Sequence, residues 1–183
     1  MIKFTPFPDT TLAQRKMIWQ WRNHPEVRRW MYNRQMIPLE NHLAFVESLA
    51  TRTDRKYWLV TDDAQDIGVI DVHMNDDGRN EFGYYQNPDI HGVGFTLVKE
   101  GLHFVLHEQG MESVFLSVDK SNWRAIALDT FVGFVFSKEE TVDGATYVVS
   151  EDMNGEVIDS HYHLTDTDYR AYIKKIKEQN NNG

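Results

Sequence analysis

Three short strand-like runs, separated by turns of a few residues, constrain the fold of this chain more than any other feature. The runs are "KYWLVTDD" (56–63), "IGVIDVHM" (67–74) and "EFGYYQN" (81–87). A polar turn around Ala64 and Gln65 joins the first two, and "NDDGRN", which carries an Asp-Gly turn signal, joins the last two. The last two runs are therefore predicted to form an antiparallel hairpin within a meander.

Segments with helical spacing surround this meander and predict a mixed fold. In chain order, the patterns predict a strand at 3–7, helices at 11–23, 25–31 and 38–50, the meander, a helix at 92–108, a strand at 113–118, a helix at 121–132, a strand at 133–137, a hairpin at 145–165 and a helix at 166–179. The late hairpin should turn at Asn154–Gly155, and Ser121 or Asn122 should cap the helix beside it. The predicted class is α/β, with a mixed, mostly antiparallel central sheet flanked by helices and a C-terminal hairpin and helix.

Composition narrows the class of partner. The formal net charge of −9 argues against sequence-independent nucleic-acid binding, which needs clustered Lys and Arg. The chain has no apolar run of the roughly 18 to 20 residues that a membrane helix needs, and its first residues lack the features of a signal peptide. It has no cysteine, which excludes disulfides and thiolate sites. We expect a cytoplasmic protein with one domain over 1–178, a frayed tail at 179–183, and no nucleic-acid or membrane partner.

The stretch "DIHGVGFTL" (89–97) places two glycines between a strand and a helix. Glycine permits positive φ and close approach of the backbone, and the first amides of a helix favour an anion. Residues His91 to Thr96 are therefore candidates to surround a phosphate group. Taken alone, the pattern also fits a plain tight turn, and it lacks the third glycine and the parallel unit of a dinucleotide-binding fold.

Two segments together resemble the GNAT superfamily of acetyl-CoA-dependent N-acetyltransferases. "HGVGFTL" matches the family's Gly-x-Gly turn for the CoA pyrophosphate, and "SNWRAIALDTFVGF" matches its later helix at Asn122, Ala125, Gly133 and Phe134. The resemblance implies a GNAT fold, acetyl-CoA as cosubstrate, no metal, and attack by the amine in a ternary complex. The implied cofactor-binding residues are His91, Gly92, Val93, Gly94, Phe95, Thr96 and Asn122.

Two positions depart from that family's pattern. Asp89 stands where the family has Arg or Gln, and we expect its acidic side chain to face solvent. Asp129 stands where the family has a tyrosine that protonates the leaving thiolate. An ionised carboxylate cannot donate a proton. Either Asp129 is protonated, another group donates, or the thiolate leaves unassisted, since a thiol pKa of about 8.5 makes it a fair leaving group.

A narrower resemblance links the chain to the N-acetyltransferases of pseudaminic acid biosynthesis, which acetylate the 4-amino group of a UDP-linked 4-amino-4,6-dideoxy sugar. It rests on "WRNHPEVRRWM", "ENHLAFVESL", "YWLV", "IGVIDV" and "EFGYYQNPDIHGVG", in this order. It implies a nucleotide-sugar partner bound by Arg22, Met31, Tyr32, His42 and Phe45. Arg22 suits a diphosphate because a guanidinium binds phosphate with two parallel bonds. Ordinary alternatives are an Arg22–Glu26 ion pair and core positions for Met31 and Phe45.

Polar residues on the meander strands are the candidate catalytic groups. Alternation places Glu81, Gly83 and Tyr85 on one strand face, and Asp71 and His73 share a face of the neighbouring strand. Buried polar groups on central strands are costly without a role. We expect Glu81 to act as base or to orient water, with Asp71 and His73 as supports toward the substrate. The alternatives are an ion pair of Glu81 with Arg79 or a neighbour, and a structural role for His73.

Other patterns leave alternatives open. His103 and His107 are four residues apart on a helix, and His161 and His163 share a predicted strand face, but no third metal ligand is evident, so no metal site is predicted. A homodimer is possible. The rival functions are a protein N-terminal acetyltransferase of the ribosomal-protein type and a CoA-binding module with little turnover.

Overall fold

The computed structural model describes residues 1–152 and 155–182. The chain divides into two compact units, residues 1–97 and 98–183, with the division inside the fourth helix. None of the described helices is both long enough and apolar enough to cross a bilayer.

The first unit carries the predicted meander. Its elements are β1 (Ile2–Pro6), a 3-10 turn (Phe7–Asp9), α1 (Leu12–Asn23), α2 (Pro25–Arg28), α3 (Leu39–Ser48), β2 (Arg55–Asp62), β3 (Gln65–Met74) and β4 (Asn80–Gln86). The strands lie in the order β1-β2-β3-β4, and every neighbouring pair is antiparallel. The predicted hairpin is thus confirmed as β3 and β4.

Local capping explains where the helices of this unit begin. Thr11 and Gln14 form a capping box at the start of α1, in which each side chain accepts from the other residue's backbone amide. His24 ends α1 with extended backbone, and its Nδ1 accepts from the Glu26 amide to cap α2, which opens at Pro25. The boundary at His24–Pro25 was predicted, because the residue before proline avoids helical backbone.

An apolar cluster holds α1 and α3 against one face of β2 and β3. Its buried members are Phe7, Ile18, Trp21, Val46, Leu49, Leu59 and Val69. Leu59 and Val69 are register partners across β2 and β3, and Tyr85 of β4 completes their row. This face of β2 to β4 is therefore apolar at the Leu59 row. The cross-strand rows nearer the start of β2 carry polar side chains.

The second unit has its own strands and helices. Its elements are α4 (Gly94–His103, begun in the first unit), a π-helical turn (Phe104–Glu108), β5 (Phe115–Asp119), α5 (Trp123–Val132), β6 (Val135–Val142), β7 (Ala145–Glu151), α6 (Glu156–His161) and α7 (Asp166–Asn181). β7 pairs antiparallel with both β5 and β6, and β6 comes last in the order β5-β7-β6. β6 has a bulge between Phe136 and Lys138.

The hairpin predicted at 145–165 is wrong in its second half. β7 pairs instead with β6, because the chain reverses at Asp143 and Gly144, both with positive φ as a tight Asp-Gly turn requires. Residues 156–161 form α6, with Ile158 buried, and Asn154 lies outside the described residues. His161 and His163 therefore share no strand face.

The last helix is longer than the sequence patterns indicated. α7 continues to Asn181, although a frayed tail was expected from residue 179. Its start is fixed by a capping box between Thr165 and Asp168, and an i, i+4 pair of Asp166 with Arg170 supports the first turn.

Candidate active site

Two cross-strand rows make the far end of the β2–β4 face polar. Tyr57, Asp71 and Gly83 are register partners, and so are Arg55, His73 and Glu81 in the next row. Strand alternation directs all of them to the same face as the apolar Leu59 row. The rows therefore bring Asp71, His73 and Glu81 together, as the sequence predicted for one face of each strand.

His73 lies between two carboxylates. Its Nε2 is 3.1 Å from Oε2 of Glu81, and its Nδ1 is 3.9 Å from Oδ1 of Asp71. Tyr32 donates its hydroxyl hydrogen to Oε1 of Glu81 at 3.1 Å. Both oxygens of Glu81 thus have partners, which fixes the plane of its carboxylate. Arg79, the alternative partner considered for Glu81, donates to Asp77 at 3.0 Å.

A glycine makes room for the Asp71 side chain. A Cβ added at Gly83 would lie 2.5 Å from Oδ2 of Asp71 and 2.9 Å from its Cγ. Real Cβ atoms essentially never approach so closely, so the carboxylate of Asp71 lies across the space that any other residue would fill. Gly83 is therefore a functional position that the sequence patterns did not single out as such.

The charges of this cluster are coupled. The carboxylates of Asp71 and Glu81 raise the pKa of His73 to about 9, so its imidazole is protonated near neutral pH. Burial raises the pKa of Asp71, while the neighbouring His73 acts in the opposite direction. A protonated imidazole donates hydrogen bonds and cannot serve as a base. His73 thus supports the two carboxylates, and Asp71 and Glu81 are the groups of this cluster whose side chains could accept a proton.

Two half-buried tyrosines and an arginine lie near Asp71. Burial raises the pKa of Tyr57 and of Tyr85 well above the usual range of a phenol, so both are neutral hydrogen-bonding groups. Burial lowers the pKa of Arg22, and electrostatic interactions with Tyr85, Tyr57 and Asp71 oppose that shift. Tyr57 and Tyr85 were not predicted to belong to the site, and cross-strand register is the signal that identifies them.

Arg22 and Arg28 form a pair of guanidinium groups beside a common loop. Nη2 of Arg22 donates to the carbonyl of Asn33 at 2.9 Å, and Nη1 of Arg28 donates to that of Arg34 at 3.1 Å. Nη1 of Arg22 and Nε of Arg28 are buried and have no hydrogen-bond partner among the described residues. A buried donor without a partner costs about 1–3 kcal/mol, so each guanidinium favours an anion that accepts from it.

The remaining predicted substrate residues have varied surroundings. His42 is buried, its Nε2 donates to the Arg15 carbonyl at 2.9 Å, and burial lowers its pKa, so it links α3 to α1 in its neutral form. Phe45 is half-buried and meets Tyr57 edge-on, with ring centroids 5.2 Å apart. Met31 is half-buried and Tyr32 is exposed. Their part in binding a substrate stays a prediction.

The glycine turn has the geometry expected of a strand-to-helix connection. Gly92 has a φ of 80°, a value that favours glycine, and α4 begins at Gly94. The first helical bond runs from the Leu97 amide to the Val93 carbonyl, so the earlier amides of α4 precede its hydrogen-bond ladder. His91 is exposed, Val93 and Thr96 are half-buried, and Phe95 is buried. Asp89 is exposed, as expected.

The second unit holds the other two predicted residues. Asn122, rather than Ser121, caps α5 by accepting from the Ala125 amide at 3.3 Å. Asp129 is buried on α5 with 2% exposure. Burial, followed by the charge of Asp129, raises the pKa of Tyr169 on α7. A tyrosine therefore adjoins Asp129, although the chain has none at the position where the family pattern expects one.

Comparisons with known proteins agree with these features. Residues 8–135 match the family model described as acetyltransferase (GNAT) domain. Acetyltransferase PseH of Campylobacter jejuni subsp. jejuni serotype O:2 is 35% identical over 128 residues, which cover 70% of this chain and 81% of that protein. The PseH of serotype O:23/36 is 34% identical over the same shares of both chains.

Solved structures of N-acetyltransferases are similar to this chain in fold. The crystal structure of Campylobacter jejuni N-acetyltransferase PseH in complex with acetyl coenzyme A has a TM-score of 0.64 and 28% identity, and covers 81% of this chain and 97% of that one. Spermidine N-acetyltransferase from Vibrio cholerae, in complex with CoA and spermine, has a TM-score of 0.68 at 18% identity, covering 82% and 92%. The second likeness concerns the fold alone. The predicted mixed, mostly antiparallel α/β fold is confirmed.

Proposed function

The chain belongs to the GNAT acetyltransferase family and is an N-acetyltransferase that uses acetyl-CoA. We propose that its acceptor is the 4-amino group of a UDP-linked 4-amino-4,6-dideoxy sugar in pseudaminic acid biosynthesis. The similarity to PseH supports the choice of pathway. The observation that carries the proposal is the cluster of Tyr32, Asp71, His73 and Glu81, with Arg22 beside it. This arrangement combines a proton acceptor for an amine with a cation for a diphosphate.

The cluster suits direct attack by an amine. The acceptor amine must lose a proton, its nitrogen bonds to the acetyl carbon, and the carbon–sulfur bond then breaks to release CoA thiolate. Glu81 accepts the proton, directly or through one water. Nε2 of His73 holds one oxygen of Glu81 at 3.1 Å, and the Tyr32 hydroxyl orients its second oxygen. Asp71 faces the substrate and holds His73 in its charged form.

The turn from His91 to Thr96 is proposed to bind the CoA pyrophosphate. Glycine at 92 and 94 lets the backbone approach the phosphates, and the amides at the start of α4 point toward an anion. The exposed Gly92 and its positive φ support this assignment. Phe95 anchors the turn through its buried ring. Asn122 is proposed to contribute to cofactor binding as well, through its place at the start of α5.

The two arginines are proposed to bind the diphosphate of the nucleotide. A phosphate oxygen that accepts from Nη1 of Arg22 and Nε of Arg28 would satisfy both buried donors. Met31, Tyr32 and Phe45 are proposed as apolar walls for the base, and His42 as the residue that holds α3 in position beside them. Arg28 is an addition to the residues that the sequence predicted.

Asp129 is proposed to take part in the departure of the CoA thiolate. Its buried side chain and the neighbouring Tyr169 place an acid and a phenol together on α5 and α7. Either group is able to donate a proton when it is protonated. Because a thiol has a pKa of about 8.5, this help is expected to be small.

The test offers two classes of acceptor to the full chain. Acetyl-CoA is incubated with a UDP-4-amino-4,6-dideoxy sugar or with N-terminal peptides, and the release of CoA and the acetylated product are measured by thiol titration and mass spectrometry. We expect transfer to the sugar nucleotide. Arg22→Ala should raise KM for that acceptor at least tenfold, whereas the exposed Arg29→Ala should leave it unchanged. Transfer to peptides alone would overturn the proposal, and CoA binding without transfer to either class would indicate a binding module.

A further inference from the structure

We propose that His103, His107 and Asp159 form a binding site for one divalent transition-metal ion in the second unit. One ligand atom from each residue lies within 4.8 Å of the other two. The three residues come from two different elements, the end of α4 with its π-helical turn and the short helix α6. None of them has a role in the proposed acetyl transfer.

The two histidines are presented together by the helix. They are four residues apart, and their ring centroids are 4.6 Å apart. His103 directly precedes the π-helical turn Phe104–Glu108, and His107 lies within it. Such turns are rare and frequently occur at functional sites. The sequence places these two histidines together but predicts no third ligand. Helix α6, which stands where a hairpin strand was predicted, supplies one.

Asp159 is already positioned against one of the histidines. Nε2 of His107 donates to Oδ1 of Asp159 at 2.7 Å. Around a tetrahedral ion with bonds of about 2.1 Å, neighbouring ligand atoms are about 3.4 Å apart. The three atoms therefore need shifts of little more than about 1 Å. The side chains of His107 and Asp159 are about half exposed, at 44% and 49%, so they can make those shifts.

A supporting layer orients His103. Its ring stacks on Tyr162, with centroids 4.5 Å apart and an angle of 24° between the planes. Tyr162 in turn donates its hydroxyl hydrogen to Oε2 of Glu100 at 2.9 Å, and Nζ of Lys99 lies 4.5 Å from the centre of its ring. Residues behind the ligands commonly fix their orientation in metal sites. The half-buried histidine is thus held in place while the other two ligands close around the ion.

The donor set determines the class of ion. Two imidazoles and one carboxylate suit zinc, nickel or copper, and they leave a fourth position for water. Two nearby histidines have other partners: Nδ1 of His161 lies 2.6 Å from the Val157 carbonyl, and Nδ1 of His163 lies 2.9 Å from the Ser160 carbonyl. A bound ion would join α4 to α6 and stabilise the second unit by mass action.

The experiment uses the full chain without a polyhistidine tag. The protein is treated with a chelator to remove bound metal, and the chelator is then removed by dialysis. Zinc is titrated calorimetrically, and cobalt is used as a second probe because tetrahedral Co²⁺ has intense visible absorption. We expect one ion per chain, a higher unfolding temperature with zinc, and a tetrahedral cobalt spectrum. His107→Ala and Asp159→Asn should each weaken binding at least tenfold, while the exposed His163→Ala should not change it.

Three results would overturn the site. They are the absence of saturable binding, equal affinity in all variants, and an equally large loss in His163→Ala. Circular dichroism without metal checks that the variants fold, and the two exposed ligands tested are on different elements, so one misfolded variant leaves the other informative. Because every readout is metal binding or unfolding, the result is independent of which amine the enzyme acetylates.

Discussion

Two aspartates show how differently this chain surrounds a carboxylate. Asp71, on β3 of the first unit, lies across Gly83 and beside the cationic His73. Asp129, on α5 of the second unit, is more deeply buried and lies near the phenol of Tyr169. Asp71 thus has an opposite charge beside it, whereas Asp129 interacts electrostatically with a phenol whose pKa is raised.

The difference indicates different tasks. A carboxylate beside a cation helps to maintain a fixed pattern of charge, and Asp71 does this together with His73 and Glu81. A deeply buried carboxylate is a candidate for exchanging a proton. The chemistry that limits the rate is therefore expected to depend strongly on the Asp71 cluster and weakly on Asp129, and four changes test this contrast.

The largest effect is expected from Gly83→Val. Its Cβ would occupy the space of the Asp71 carboxylate, which is the flexible end of a side chain and can move aside without unfolding the strand. The Asp71 cluster would lose its geometry, and we expect kcat/KM to fall about a thousandfold. Steady-state kinetics measure the loss, and thermal unfolding shows whether the fold is kept.

Gly78→Asn is the matched control for this change. Gly78 lies in the same hairpin, and a Cβ added there would have no atom within 4 Å outside the adjacent residues. Asparagine also tolerates the positive φ of this position. It should keep nearly full activity. Equal losses in the two variants would show that the hairpin, rather than the position of Asp71, is responsible.

Glu81→Gln should follow, with kcat lower by about a hundredfold near neutral pH. The amide keeps the shape of the side chain but cannot accept the proton of the amine. Tyr32→Phe, which removes the hydroxyl that donates to Glu81, should cost much less. Pre-steady-state acetyl transfer separates this chemical step from product release. An unchanged rate of transfer in Glu81→Gln would assign the base to another group.

The charge of His73 should be visible in stability. Its pKa is about 9 in the folded chain and about 6.5 when unperturbed, so its contribution to the free energy of unfolding is complete below about pH 6.5 and is lost as the pH rises through 9. Between about pH 6 and pH 10, the wild type should lose on the order of 2 kcal/mol more than His73→Gln. Urea unfolding at both pH values measures this, with His163→Gln as control. Equal losses of unfolding free energy in the wild type and in His73→Gln would mean that His73 is not held in its charged form.

Asp129→Asn should have the smallest effect, a fall in kcat of less than about tenfold. A thiolate leaves readily because the pKa of a thiol is about 8.5, so loss of the proposed proton donor should matter little. Tyr169→Phe shows whether the neighbouring phenol takes part. A loss in Asp129→Asn as large as that in Glu81→Gln would reverse the contrast between the two aspartates.

Much of the first unit followed from sequence because its determinants are local. The Asp-Gly turn before β4 predicts a hairpin, and hairpin register then places His73 opposite Glu81. Pro25 ends α1, and in the second unit Asn122 likewise caps α5. Each of these features depends on residues close in the chain, where propensity and hydrogen bonding decide the backbone.

The remainder depends on tertiary packing. The position of Asp71 over Gly83 follows from strand pairing combined with a side-chain rotamer, and the approach of Asp159 to His107 joins residues 52 positions apart. The hairpin at 145–165 failed because two turn signals competed. The turn at Asp143–Gly144 gives β7 partners on both sides, and the sequence patterns contain no measure of that gain.

The outer strand β6 has a consequence for the behaviour of the protein in concentrated solution. An unprotected edge strand recruits further strands and starts amyloid-like growth. Lys138, Glu139 and Glu140 follow one another on β6, and the bulge after Phe136 displaces the hydrogen-bonding groups from a regular ladder. A second copy of the strand would meet mismatched hydrogen-bonding groups and a row of charged side chains, so we expect this edge to resist fibril formation even though the aromatic ring of Phe136 is exposed.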